Sequence, residues 1–164
     1  KMKRIGILSD THGYLDPRIY QYFSECDEIW HAGDWGSLEV VNQLNELKPV
    51  RGVWGNIDDV NIRSLFPQHF HFQCEDVAVW LTHIGGYPGK YDRSVRPAIF
   101  QQPPDLFVCG HSHILKVQYD KKLNLLHINP GAAGKYGFHA VQTIVRLEID
   151  GKKIQNLEVI ELEK

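Results

Sequence analysis

The chain has 164 residues, of which 43% are hydrophobic and 23% are charged, and its formal net charge is −2 at pH 7. This length fits a single domain over residues 1–164, in which roughly two-thirds of the unfolded surface can be buried. The nearly balanced charge excludes the basic footprint of proteins that bind DNA or anionic membranes. We therefore expect no specific nucleic acid and no membrane among its partners.

The cysteine pattern bears on the compartment. Cys26, Cys74 and Cys109 are odd in number and contain no Cys-x-x-Cys pair, which is typical of reduced thiols inside cells. There is no leader-like segment and no long apolar run, so we predict a cytoplasmic protein. Nine histidines are many for this length, and they indicate metal or acid–base chemistry.

The first part of the chain alternates short apolar runs with helical periodicity. Strands are predicted at 5–8, 28–31 and 50–54, and helices at about 16–25 and 37–49. The order β-α-β-α-β predicts a parallel sheet with right-handed crossovers.

From residue 66 onward, strands predominate. Segments 69–74 and 77–82 predict a hairpin, and 105–109 predicts a buried strand. We expect 87–102 to form a loop with one short helix. Antiparallel strands are predicted at 115–119, 123–128, 141–149 and 154–162. This order predicts an α/β domain with two stacked sheets and helices outside.

Five apolar strands each end in a glycine-containing turn that carries a side chain able to bind a metal. The side chains are Asp10, His12, Asp34, Asn56, His83, His111 and His113. In extended backbone, side chains two positions apart point the same way, so Asp10 and His12 should converge. Because ligands of α/β sheets bind beyond the carboxyl ends of strands, we expect all five turns to meet at one edge. The alternative is an unrelated set of turn and capping residues.

The chemistry of this set favours divalent transition metals over calcium or a thiolate zinc site. Two carboxylates buried together without a cation would repel each other and lose hydration energy. Seven ligands exceed what one ion needs and suit two ions that share a carboxylate. Two ions about 3.5–4 Å apart can hold a bridging hydroxide for in-line attack on phosphorus. We therefore interpret the seven residues as both metal ligands and catalytic residues.

In their order along the chain, the motifs resemble the signature of the calcineurin-like metallophosphoesterase superfamily. They are Asp10-x-His12, Gly33-Asp34, Gly55-Asn56, His83 and Gly110-His-x-His113. The small size and the Asn129-Pro-Gly131 turn are similar to the compact bacterial and archaeal phosphodiesterase branch. The resemblance covers about residues 4–160. It implies a four-layer αββα sandwich, with two stacked mixed β-sheets flanked by helices.

The resemblance also implies how the ligands divide. One ion would be held by Asp10, His12, Asp34 and His113. The other would be held by Asp34, Asn56, His83 and His111, with Asp34 bridging the two. Manganese is the metal expected first, with iron, nickel or zinc as alternatives. The chain is thus predicted to be a dinuclear phosphoesterase, a phosphodiesterase rather than a monoesterase, acting on a small phosphoester.

One position departs from the family pattern. Many members carry a histidine after the Gly-Asn pair, where it is thought to stabilise the transition state or protonate the leaving group. Ile57 stands there and can do neither, although the compact branch often lacks this histidine too. The rival interpretation is a non-catalytic metal-binding scaffold on the same fold, similar to the retromer subunit that resembles this family. The complete ligand set favours the enzyme, because an adaptor does not need it.

Several further expectations concern residues around the set. Asp58 or Asp59 could orient a ligand, and Trp35 could line the pocket. His31 and His127 are expected to be structural, whereas Tyr136 and His139 could approach the substrate. The late strands permit a homodimer without requiring one. The physiological substrate and the role of loop 87–104 stay open.

Overall fold

A computed structural model describes residues 2–164, which begin with alternating strands and helices. The first elements are β1 (Met2–Leu8), α1 (Arg18–Phe23), β2 (Glu28–His31), α2 (Leu38–Leu47), β3 (Val50–Gly52) and α3 (Val60–Arg63). A strand-rich part follows, with β4 (His69–Cys74), β5 (Val77–Thr82), β6 (Gly86–Tyr87), β7 (Lys90–Tyr91), α4 (Ala98–Gln101), β8 (Leu106–Val108), β9 (Lys116–Asp120), β10 (Leu125–Asn129), β11 (Val141–Asp150) and β12 (Lys153–Glu163).

The ten longer strands form two mixed sheets of five strands each. The first sheet has the order β12-β11-β1-β2-β3, and the second has the order β4-β5-β8-β10-β9. Strands β1, β2 and β3 pair in parallel, as do β5, β8 and β10. Parallel strands end at the same edge of their sheet, so each sheet supplies one edge where several carboxyl ends meet.

Apolar side chains of the two sheets form a shared core. Ile7 and Trp30 of the first sheet belong to the same buried cluster as Leu81, Val108 and Ile128 of the second. Successive side chains of a strand point to opposite faces, so Ile5 and Ile7 of β1 belong to this inner layer, whereas Leu8 packs in the cluster of the helices.

The outer faces of the sheets are covered separately. Helices α1 and α2 bury Phe23 and Leu44 against the first sheet. The segment around α4 and the β6–β7 hairpin buries Ile99 and Tyr91 against the second. The predicted order of layers, α, β, β, α, is therefore confirmed. Within residues 2–164, no helix is long and apolar enough to cross a membrane.

Some predicted details are wrong. The segment 123–128 was expected to be antiparallel to its neighbours, but β10 pairs in parallel with β8 and antiparallel only with β9. Strand β9 occupies the sheet edge, which leaves the other side of β10 free for β8. Residue periodicity reports which face is buried and carries no information on the direction of a neighbour. The segment 87–102 contains the one expected short helix, α4, but it also includes most of hairpin β6–β7, which was not expected, and neither was the short helix α3.

Candidate metal centre

Turns from both sheets bring their polar side chains together. Nε2 of His83, which follows β5 in the second sheet, lies 3.1 Å from Oδ2 of Asp34, which follows β2 in the first. Nε2 of His113, after β8, lies 3.3 Å from Oδ1 of Asp10, after β1. The expected meeting of strand ends is therefore observed, and the site spans both sheets.

Six of the seven candidate ligands form two groups, Asp10, His12, His113 and Asp34, His83, His111. Within each group, one ligand atom from every residue lies within 4.8 Å of the others. The seventh candidate, Asn56, places its Oδ1 3.0 Å from Nδ1 of His111. Oδ2 of Asp34 also lies 3.5 Å from Nε2 of His12 in the other group. Two atoms bound to one ion at about 2.1 Å lie about 3–4 Å apart, so these spacings fit two ions with Asp34 between them.

The backbone of the ligand turns is left-handed. Five of the seven candidates have φ between 47° and 73°, namely Asp10, His12, Asp34, His111 and His113. The expected reason for the convergence of Asp10 and His12 is therefore wrong, because β1 ends at Leu8 and neither residue is extended. Non-glycine residues adopt this conformation at a free-energy cost, and such positions cluster at functional sites.

One oxygen of each carboxylate accepts hydrogen bonds from the protein, and the other oxygen faces the imidazoles of the two ligand groups. Oδ2 of Asp10 accepts hydrogen bonds from the Ser9 hydroxyl at 2.7 Å and from the His111 backbone N–H at 3.1 Å. Oδ1 of Asp34 accepts from the Ile57 backbone N–H at 3.1 Å. The remaining oxygens, Oδ1 of Asp10 and Oδ2 of Asp34, are those nearest the imidazoles. Both carboxylates are thus oriented as ligands before any ion binds.

The ring of His83 is oriented by the backbone. Its Nδ1 donates to the Ala32 carbonyl at 2.7 Å, so Nε2 is the nitrogen that faces Asp34 and Asp10. A hydrogen bond from the far nitrogen to a carbonyl is the usual device that fixes the tautomer of a metal-binding histidine.

Three buried polar atoms at this site have no hydrogen-bond partner among residues 2–164. They are Oδ1 of Asp10, Nε2 of His12 and Nε2 of His83. A buried polar atom without a partner costs free energy, and all three atoms are metal-ligand types that face the same space. Divalent cations bound by the two ligand groups would satisfy all three atoms, so the residues fit the metal that their types imply.

The negative charges of the two carboxylates at the site also favour a bound cation. Burial raises the pKa of Asp10, but the imidazoles of His113, His12 and His83 outweigh burial and hold this pKa well below its usual range. Burial likewise raises the pKa of Asp34, and contacts with His83 and the Ile57 N–H bring it down below its usual value. Two adjacent carboxylates therefore stay ionised in a buried pocket, where each repels the other.

Two glycines explain why the ligand motifs contain that residue. A Cβ on Gly55 would overlap the carboxylate and backbone nitrogen of Asp34. A Cβ on Gly110 would overlap the Ser9 hydroxyl and lie 2.7 Å from Oδ2 of Asp10. The Gly-Asn and Gly-His pairs are thus needed because the backbone passes directly against the two carboxylates.

Asp58 ties two of the ligand turns together. Its Oδ2 accepts from the backbone N–H groups of Asp34, Trp35 and Gly55 at 2.8–3.2 Å. Its Oδ1 accepts from that of Gly36 at 3.0 Å. Of the two expected candidates, Asp58 is the one that positions a ligand turn, whereas Asp59 caps α3 through the Ile62 N–H.

The arrangement can be compared with known proteins. The model of the calcineurin-like phosphoesterase superfamily domain matches residues 2–152. The chain belongs to this superfamily. A probable metallophosphoesterase of Methanothermobacter thermautotrophicus is 30% identical over 156 residues, which cover 92% of this chain and 88% of that protein. A phosphodiesterase of Methanocaldococcus jannaschii is 24% identical over 171 residues, covering 94% and 98% respectively.

The fold of this phosphoesterase-superfamily chain is also found among solved structures. Vps29 of Entamoeba histolytica, solved in complex with zinc, superposes with a TM-score of 0.75 at 16% identity. The match covers 98% of both chains. At this identity the likeness bears on the fold alone.

Of the other residues singled out from the sequence, some lie in the hydrophobic core and others lie at the edge of the candidate metal centre. His31 is buried and stacks on Trp35 with 3.8 Å between ring centroids, so Trp35 belongs to the core and does not line the pocket. Tyr136 is exposed, and its ring lies 5.0 Å from that of His12. The ring of His139 lies 5.5 Å from that of His113. The loop that holds Tyr136 and His139 therefore borders the candidate centre.

The role of Ser9, whose hydroxyl donates a hydrogen bond to Asp10, was not predicted from the sequence. A serine directly before the first ligand is a usable signal, since a hydroxyl can orient a neighbouring carboxylate. The sequence gives no sign that the Asp58 carboxylate accepts hydrogen bonds from four backbone N–H groups, because those groups lie 3 to 24 residues away along the chain.

We expect Asp58→Asn to loosen the two turns, because its amide would present N–H groups to backbone donors. The free energy of unfolding should fall by about 1–3 kcal/mol, and the affinity for Mn²⁺ by about 10–100-fold. Denaturant unfolding and calorimetric titration with MnCl₂ measure the two effects. Asp59→Asn is the matched control, because asparagine caps helices as well as aspartate does. Equal effects of the two substitutions would contradict this role of Asp58.

Proposed function

We propose that the protein is a phosphodiesterase that works with two divalent metal ions, manganese first among them, and acts on a small phosphoester. The observation that carries the proposal is the position of Asp34. Its Oδ2 lies between His83 Nε2, at 3.1 Å, and His12 Nε2, at 3.5 Å. One carboxylate oxygen shared by two ligand groups is what a pair of ions would need.

The residues would divide as their positions suggest. Asp10, His12, Asp34 and His113 would hold one ion, and Asp34, Asn56, His83 and His111 the other. Once bound, such ions supply a hydroxide nucleophile at neutral pH and positive charge beside the phosphoryl oxygens. The fixed carboxylates and the backbone-anchored ring of His83 keep the ligands in place, so little reorganisation is needed during the reaction.

Ile57 points to the class of substrate. Its side chain is 47% exposed, and its N–H is bound to Asp34, so position 57 adjoins the bridging carboxylate. Isoleucine cannot give a proton to a departing oxygen. A missing general acid costs about 10²–10⁴-fold for a poor leaving group and much less for a good one. This supports diesters with acidic leaving groups over alkyl monoesters.

Activity should depend on Asp34 and on metal. With added Mn²⁺ we expect hydrolysis of bis(p-nitrophenyl) phosphate, its loss on dialysis against a chelator, and its return with Mn²⁺. Asp34→Ala should lower kcat/KM by about 10²–10³-fold or more, since a shared ligand serves both ions. Release of p-nitrophenolate measures the rate.

Asp76→Ala is the matched control for that experiment, because Asp76 is exposed in the β4–β5 turn, at the opposite end of β5 from His83. Its kcat/KM should equal that of the wild type. Bound manganese with no turnover by the wild type would instead favour the non-catalytic scaffold.

The leaving-group preference can be tested at position 57. We expect the wild type to hydrolyse bis(p-nitrophenyl) phosphate much faster than ethyl phosphate. Ile57→His should raise the rate on poor leaving groups by about 10²-fold, since it restores a proton donor, with little gain on the nitrophenyl diester. Ile57→Phe serves as the control, because phenylalanine has a ring of similar size to that of histidine but cannot donate a proton. Faster hydrolysis of ethyl phosphate by the wild type would contradict the assignment.

A further inference from the structure

A cavity of about 480 Å³ adjoins the candidate centre on the outer side of the second sheet. Its volume falls within the usual range of small-molecule sites. Ile84, Tyr87 and Ile114 contribute apolar surface to its lining, and His111 lines it as well. Because His111 also belongs to the second ligand group, the cavity opens directly beside the atoms proposed to hold the metals.

His127 on β10 also lines the cavity, and it is 1% exposed. Neither of its ring nitrogens has a hydrogen-bond partner among residues 2–164. Burial lowers the pKa of His127 to about 4, so the ring is neutral at pH 7. A neutral imidazole offers one N–H donor and one acceptor nitrogen. His127, a buried residue of the cavity lining, thus has an unused donor and an unused acceptor.

From its place in the sequence His127 is expected to be structural, as His31 is, but the hydrogen bonding of the two residues differs. His31 Nε2 lies 3.1 Å from the Thr11 hydroxyl, and its Nδ1 accepts from the Gly33 N–H at 3.0 Å. Both ring nitrogens of the structural residue His31 are therefore paired. Those of His127 are not, and leaving them unpaired costs free energy. A ligand in the cavity would remove that cost.

The charges around the cavity limit what it can hold. Asp92 and Lys116 are the charged residues of its lining, one of each sign. The Lys116 ammonium lies 5.3 Å from the centre of the Tyr87 ring. A lining with balanced charge, apolar walls and one donor–acceptor ring suits an uncharged planar group with hydrogen-bonding atoms on its edge.

We propose that this cavity binds the base of a nucleoside phosphodiester, with His127 as the residue that hydrogen-bonds the edge of the base. A phosphorus atom held at the candidate centre would place a substituent beside His111, at the entrance of the cavity. This inference rests on the proposed phosphodiesterase function and adds the class of substrate to it. His127 would determine specificity and would take no part in bond cleavage.

The test compares two esters that share the p-nitrophenolate leaving group. One is thymidine 5′-(p-nitrophenyl phosphate), and the other is methyl p-nitrophenyl phosphate. In the wild type with Mn²⁺, kcat/KM should be at least about tenfold higher for the thymidine ester. His127→Leu should lower this ratio by about tenfold, and Tyr87→Ala, which removes part of the wall, should also lower it.

The matched control is His71→Leu, the same change on the exposed position of β4, and its ratio should equal that of the wild type. Thermal unfolding of His127→Leu should occur at the wild-type temperature or above, because an unpaired polar group is removed. A wild-type ratio near one, or a ratio unchanged by His127→Leu, would overturn the proposal while leaving the phosphodiesterase function intact.

A binding measurement separates the two proposals if neither ester is hydrolysed. Thymidine 5′-monophosphate is titrated into protein labelled with ¹⁵N-histidine, without manganese, which would broaden the resonances. A shift of the His127 ring nitrogens, with those of His71 unchanged, would support the cavity as a base site even if the enzyme assignment failed. Saturating nucleotide without any shift at His127 would overturn the inference.

Discussion

The structure depends on two ionised carboxylates buried side by side. In both Asp10 and Asp34, one carboxylate oxygen accepts a hydrogen bond from the protein and the other faces a group of imidazoles. Like charges buried together are costly unless a cation compensates them. The unpaired atoms of His12 and His83 face the same space. The simplest arrangement that removes all of these costs is a pair of cations, and superfamily membership agrees with it.

The rest of the fold holds this unfavourable arrangement in place. Parallel strands from both sheets end at the site, and the turns that follow adopt left-handed backbone at His111, His113 and other ligands. Asp58 ties the turn of Asp34 to that of Gly55 through four backbone N–H groups. Strain in the turns after the strands therefore lowers the free energy of unfolding, and the buried apolar core between the sheets compensates for this loss. Such strain is common at functional sites.

Much of this could be predicted from the sequence. The alternation of strand and helix predicted the parallel β1-β2-β3 unit, and the ordered polar residues at strand ends predicted where ligands would meet. The parallel pairing of β8 with β10 and the left-handed turns could not be predicted, because periodicity reports burial and not neighbours or φ. The same limit applied to His127. A histidine on a buried strand gives no sign of whether its nitrogens are paired, and only the surrounding packing distinguishes it from His31.

The most direct test is anomalous diffraction from crystals grown with manganese. Two anomalous peaks about 3.5–4 Å apart should flank the Asp34 carboxylate, one beside His113 and the other beside His111. An absence of anomalous density between these side chains at saturating manganese would contradict a paired-cation centre at this position.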